Sequence, residues 1–357
     1  MTQGTRARRG LALRSTTGMV ALGLLLALLS SSVTLAAPAA TSAQALSNAQ
    51  AAAAWSKFAF KDGAASTVLL ARDDDFADAL TSGSVQGALN APLLLTNRAK
   101  LSPEASAEIK RLGAKRVIIM GGTQAVSQEV ENEVKALKLP TERVGGATPT
   151  ETAVAVAAKF FPTASSAVIV PSQGIADSLA AGAFAAQKKM PILLTESSKL
   201  SGPTEQYLTG ASPQGSKLKT FLIAGGTSAV SQAVADQLAA VKAPALGAGE
   251  KAQVTRVSGP NRFATAVALN KALGFADAKA SPRIILIEGQ AANAWANGLP
   301  SAAEASRGAA VVLTSGDTLP PESKAFLDGG SKTPLVCGPG VSKTGCEGAG
   351  KLLGLTS

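Results

Sequence analysis

One segment of this chain is written three times. Residues 76–96 (FADALTSGSVQGALNAPLLLT) return without a gap as residues 175–195 (IADSLAAGAFAAQKKMPILLT), and again, one residue shorter, as residues 295–314 (WANGLPSAAEASRGAAVVLT). A second phrase follows each copy: VIIMGGTQAVS at 117–127, FLIAGGTSAVS at 221–231 and an eroded LVCGPGVS at 335–342. A period of roughly 100 residues is too long for a solenoid unit, so each copy is expected to be a small layered subdomain. Repetition of a whole subdomain favours a surface that meets a repeated ligand over a single catalytic centre.

The second copy predicts the architecture. Helical patterns cover residues 152–161, 176–188 and 228–241, and another helix opens at 201–205, where Pro203 stands early in the first turn. Short, wholly apolar strands fall at 167–170, 192–194 and 221–224. Strands without polar alternation are buried on both faces, as a parallel sheet covered by helices requires. The expected fold is α/β: three tandem, three-layer Rossmann- or flavodoxin-like units.

The first 45 residues read as an export signal. Arg6, Arg8, Arg9 and Arg14 precede an apolar run at 20–29, and Ala43-Gln44-Ala45 offers a small-x-small cleavage site. The Arg8-Arg9 pair leaves Sec and twin-arginine export both open. Secretion to the wall or cell surface is expected, with no membrane association after cleavage.

Composition bounds the function. The chain is 46% hydrophobic but only 4% aromatic, so its cores rest on small side chains and close helix packing. Its formal charge is +10; without the four leader arginines, 30 basic residues face 24 acidic ones. That excess suits an anionic partner. The basic residues are scattered and lack the aromatic interleaving of a base-stacking surface, so nucleic acid is not expected and an acidic wall polymer is. Histidine is absent, which removes Ser-His-Asp and Cys-His nucleophiles, H-E-x-x-H zinc sites and a histidine base. Residues 210–217 only approach a P-loop and precede a strand where a P-loop follows one, so no cofactor is expected. The Asp73-Asp74-Asp75 run lacks the spaced oxygens of a calcium loop and reads as a solvated loop, and no metal is expected. Cys337 and Cys346 read as a structural disulfide.

In a parallel sheet the strand exits gather at the carboxyl edge, where open α/β folds form their ligand crevice. That places Asp78, Asp177 and Asn297, the strand-exit Thr96, Thr195 and Thr314, and the pairs Gly121-Gly122 and Gly225-Gly226 together as candidate ligand-binding residues. Each also has a structural role open to it. Asp78 and Asp177 stand where a carboxylate caps a helix, glycine pairs make turns, and threonines end strands.

Between the copies lies Arg256-Val-Ser-Gly259-Pro-Asn261-Arg262-Phe263-Ala-Thr265-Ala266. With the FADAL, PLLLT and GGTxAVS segments it resembles the bacterial cell wall-binding repeat 2 family, over residues 51–342. The resemblance implies a triangular pseudo-trimer of three repeats that holds exported proteins noncovalently to anionic wall polymers of Gram-positive bacteria, teichoic acid-like or another secondary wall polysaccharide. It adds Arg143, Arg256, Asn261 and Arg262 to the candidate ligand-binding set. The second copy keeps Arg143 and Gly146 but lacks the Asn-Arg-aromatic core, and the first lacks the arginine phrase. The expected division is a signal peptide at 1–45 and repeats at 46–140, 141–250 and 251–350, although the Arg143 and Arg256 phrases also fit the sheet of the unit before them. The leading function is a non-catalytic wall-binding protein. The alternative is a wall hydrolase, an amidase or glycosidase, with its carboxylates in the crevices.

Overall fold

Helix and strand alternate through the chain as the triplication requires. The computed structural model describes Met1 and residues 46–175, 178–212, 216–328, 330 and 332–355; the leader and Asp177 lie outside the described residues. The first unit runs α1 (Asn48–Ala59), β1 (Thr67–Arg72), α2 (Ala77–Leu89), β2 (Leu93–Thr96), α3 (Pro103–Arg111), β3 (Arg116–Met120), α4 (Gln128–Ala136) and β4 (Thr141–Val144). The second repeats it as α5 (Pro149–Phe160), β5 (Ser166–Pro171), α6 (Ala181–Lys188), β6 (Ile192–Thr195), α7 (Gly202–Thr209), β7 (Thr220–Ala224), α8 (Gln232–Ala240) and β8 (Gln253–Val257). The third is α9 (Arg262–Ala272), β9 (Ile284–Glu288), α10 (Ala294–Gly298), α11 (Ala302–Ala305), β10 (Ala310–Thr314), α12 (Pro321–Leu327), β11 (Leu335–Cys337) and α13 (Lys343–Leu352).

Every ladder between these strands is parallel, in the orders β2-β1-β3-β4, β6-β5-β7-β8 and β10-β9-β11. The Arg143 and Arg256 phrases are therefore the fourth strands of the first and second sheets, the second of the two placements open in the sequence. Two expected helix starts move. The helix expected from 176 begins at Ala181 after a turn through Ser178–Ala180, and the one expected from 228 begins at Gln232, because extended Ser231 caps it by accepting from Val234 N at 3.3 Å.

Strand residues alternate between two cores, and this explains why both faces are apolar. Leu69, Ala71, Leu93, Leu95, Ile118 and Met120 face a central core that takes residues from all three units. Val68, Leu70, Leu94, Val117 and Ile119 face a peripheral core under α3 and α4, and the other two units have their own peripheral cores. A layer of helices thus covers each face of each sheet, and one core holds the three units as a pseudo-threefold body.

At its middle the helices descended from the triplicated segment touch through glycine. A Cβ on Gly83 of α2 would stand 2.6 Å from Gly182 Cα in α6, and one on Gly87 would stand 2.6 Å from Ala186 O. In the third unit Pro300 divides the corresponding helix into α10 and α11, joined by a 3-10 turn at Leu299–Ser301. Fully buried Gln86 of α2 bridges the opened ladder: its amide donates to Leu299 O (3.0 Å) and accepts from Ala303 N (3.2 Å). Closure also uses α1, whose Trp55 Nε1 donates to Asn297 O at 2.5 Å. The Cys337–Cys346 disulfide ties β11 to α13 in the third unit. Among the described residues no helix is long and apolar enough to cross a membrane.

Candidate functional site

Each sheet brings its turns together at the carboxyl ends of its strands. In the first unit, α2 carries Asp78 (7% exposed) beneath the turn that leaves β3. Gly121 has φ 104°, and a Cβ there would lie 2.8 Å from the Asp78 carboxyl carbon, so both backbone and space require glycine. The Thr152 hydroxyl, from α5, bonds the Asp78 carboxylate and accepts from Gly146 N at 3.1 Å. Burial pushes the Asp78 carboxyl above the ordinary aspartate range, Thr152 opposes the shift, and Asp75 adds repulsion. Asp78 does not cap α2. That bond comes from Asp75, whose Oδ1 accepts from Ala77 N at 3.0 Å.

The acidic loop is correspondingly structured. Arg72 pairs through Nε with Asp74 (2.5 Å) and more loosely through Nη1 with Asp75 (3.8 Å). The Arg72 hydrogen bond holds the Asp74 carboxyl below its ordinary value, while burial and Asp74 push Asp73 up.

In the third unit Asn297 (4% exposed) takes the place of Asp78, and a Cβ on Gly340, at φ 82°, would collide with its Nδ2. A Cβ on Gly338 would collide with the Trp55 ring. The decayed Gly338-Pro339-Gly340 phrase is thus shaped to two particular neighbours. Glu288, at the end of β9, is also buried and accepts from Gln290 N (2.8 Å), Ala291 N (2.5 Å) and Gly316 N (3.2 Å).

The arginines of β4 and β8 brace the glycine turns. Arg143 Nη1 donates to Gly121 O and Gly122 O, each at 3.0 Å, and Arg256 Nη1 donates to Gly225 O (2.9 Å) and Gly226 O (3.1 Å). Their Nη2 groups reach Ser127 O and Ser231 O at 3.4 Å. Arg143 is further met by Glu131 of α4, whose Oε2 accepts from Nε (3.0 Å) and Nη2 (2.8 Å). Arg256 has no hydrogen-bonded carboxylate among the described residues, and burial lowers its pKa.

The remaining candidates sit deeper or on the third unit's entry helix. Thr96, Thr195 and Thr314 are fully buried, their hydroxyls donating to Lys100 O (3.2 Å), Lys199 O (3.0 Å) and Ile287 O (3.5 Å). Asn261 caps α9 by accepting from Ala264 N (2.9 Å) and donates to Glu322 Oε1 (2.7 Å). Arg262 Nη1 donates to Gly289 O at 2.7 Å, bracing the turn after β9. The structure brings Asp78, Gly121, Gly122 and Arg143 together at the carboxyl edge of the first sheet, Arg256, Gly225 and Gly226 at that of the second, and Asn297 and Arg262 beside turns of the third. Thr152, Glu131 and Trp55 are participants outside the candidate ligand-binding set, whereas Gly146 is the motif glycine that the second copy keeps with Arg143. Only the Thr148-x-x-Glu151 capping box signalled the first of these, by fixing the start of α5.

Comparison with known proteins agrees with the fold. The family described as "Cell wall binding domain 2 (CWB2)" matches residues 38–131 and 143–235. Over 199 residues the chain is 32% identical to the N-acetylmuramoyl-L-alanine amidase LytC of Bacillus subtilis (strain 168), covering 56% of this chain and 36% of that protein. Among solved structures, Cwp8 from Clostridium difficile superposes with a TM-score of 0.72 at 27% identity, over 87% of this chain and 51% of that one. Cwp6 from Clostridium difficile superposes with a TM-score of 0.74 at 22% identity, over 92% of this chain and 48% of that one, a likeness of fold. The chain therefore spans about a third of the amidase and about half of each solved structure.

Proposed function

This chain belongs to the Cell wall binding domain 2 family, and we propose that it is an exported, non-catalytic protein that attaches noncovalently to an anionic polymer of a Gram-positive wall. The observation that carries the reading is the placement of the repeated phrases. All three copies put their glycine turns at the carboxyl edge of a parallel sheet, around a common core, so a polymer of repeating units meets several related crevices on one rigid body. Ligand contact is proposed for the rims of these crevices, with Asp78, Asn297, Gly121, Gly122, Gly225, Gly226, Arg143, Asn261 and Arg262 organising them and buried Thr96, Thr195 and Thr314 supporting them from below. Asp177 is proposed for the second crevice by its place in the repeat. An excess of basic residues in the mature chain favours an anionic partner.

The test is a pull-down of the mature protein with purified wall, before and after acid stripping of its secondary polymers, across a salt series. Binding is expected to be lost with the polymers and to weaken as salt screens exposed charges, over about 10 Å at ~0.1 M. Equal binding to stripped and intact wall would remove the reading.

A further inference from the structure

The first two units set their arginines identically and neutralise them differently. Arg143 and Arg256 each fix Nη1 on a pair of glycine carbonyls and turn Nη2 toward the serine that caps the next helix. In the first unit this leaves Nε and Nη2 side by side, and the carboxylate of Glu131 fills that edge at 3.0 and 2.8 Å. Glu131 stands four residues after Ser127; four residues after Ser231 stands Ala235. The second unit has therefore kept the guanidinium in its frame and lost the carboxylate that the frame presents it to. The nearest acid along α8, Asp236, accepts from Gln232 Nε2 at 2.9 Å. Arg256 is half-buried and among the described residues its guanidinium bonds only carbonyls, and a partly desolvated cation so placed is stabilised by any oxyanion that completes its charge.

We propose that the Nε–Nη2 edge of Arg256 is an oxyanion site of the second crevice, taking one carboxylate or phosphate group of a wall polymer in the position that Glu131 occupies on Arg143. The site rests on the wall-binding function and narrows it. Binding is unequal among the crevices: the second offers an unfilled side-on arginine edge, and in the first an internal carboxylate occupies that edge. Planar two-point pairing is a guanidinium property that an ammonium does not reproduce.

The experiment measures retention of the full exported chain on two immobilised polymers, poly(glycerol phosphate) and polyglucuronate. Ala235→Glu, which restores the first unit's pair, is expected to weaken retention about tenfold on the polymer that supplies the oxyanion, with melting unchanged or raised. The polymer that responds identifies phosphate or carboxylate. Glu131→Ala, which frees the matching edge of Arg143, is expected to strengthen retention on the same polymer. If Ala235→Glu melts early, Arg256→Lys decides, since it keeps the charge and loses the two-point edge; weakened retention supports the site. Wild type retained with both Ala235→Glu and Arg256→Lys within about twofold of it overturns the site alone. Wild type retained on neither polymer overturns the anionic-polymer reading and the site with it.

Discussion

Two facing glycines at the centre of the molecule are not interchangeable, and alanine at each should move stability in opposite directions. Gly83 and Gly182 both lie within helices, so alanine adds helix propensity at either position, up to about 1 kcal/mol. The surroundings differ. A methyl on Gly83 would stand 2.6, 3.0 and 3.1 Å from Gly182 Cα, O and C, all backbone atoms that can move only if α2 and α6 separate. A methyl on Gly182 would meet Gly83 Cα at 3.8 Å and Leu299 Cδ2 at 4.0 Å, which is ordinary contact. Overpacking against immobile neighbours costs about 1–3 kcal/mol, so Gly83→Ala is expected to lose about 1–2 kcal/mol net. Gly182→Ala, near the start of its helix, is expected to gain about 0.5 kcal/mol. Guanidinium unfolding with an unchanged m-value reads both. Equal shifts in the two variants, or a Gly83→Ala protein at least as stable as wild type, would refute backbone contact between these helices.

Other substitutions separate the remaining devices. Gln86→Leu leaves Ala303 N without its acceptor in the central core and is expected to cost about 2–3 kcal/mol by the same denaturant assay. Replacing Cys337 and Cys346 together by serine opens a loop with a sequence separation of 9; chain entropy predicts a loss of about 2.5 kcal/mol, seen as earlier melting with wall binding retained at low temperature. Asp78→Asn tests the buried carboxyl. Its folded pKa is raised, so ionised Asp78 costs stability above that pKa, and the cost vanishes as pH falls through the folded value to the unfolded one. The variant should therefore be more stable than wild type at neutral pH and equal to it in acid, checked by paired melts across that range.

Much of the fold was legible because the sheets are buried on both faces. Runs such as Val168-Ile169-Val170 can be little other than central parallel strands, and their exits led directly to the meeting of Asp78 with Gly121. The edge strands were harder. Thr141–Val144 and Gln253–Val257 are short, partly exposed and largely polar without strict alternation, and their pairing with β3 and β7 makes them strands. The late start of α6 was hidden because apolar burial continues through Leu179 and Ala180 in the turn before it. At the carboxyl edges, the family resemblance suggested ligand contact for Arg143 and Arg256. Their carbonyl partners come from a turn about thirty residues or fewer away in sequence and adjacent only through the sheet. The division between Glu131 and Ala235 has meaning only in the folded chain, where the two arginines make matching bonds to their glycine turns and serine carbonyls.

The contact between Trp55 and Asn297 joins residues 242 apart in sequence. Its consequence lies in time more than in energy. Closing so long a loop adds only about 0.6 kcal/mol for each doubling of its length, a modest term against a shared core. A chain that emerges amino end first, however, finishes the sheet of its first unit long before the surface that covers Trp55 exists, since the ring rests on Gly338 near the far end. Until then the largest apolar side chain of α1 has no cover from the third unit. The closed ring is the last structure such a chain can reach, so slow, late maturation is the kinetic counterpart of its threefold economy.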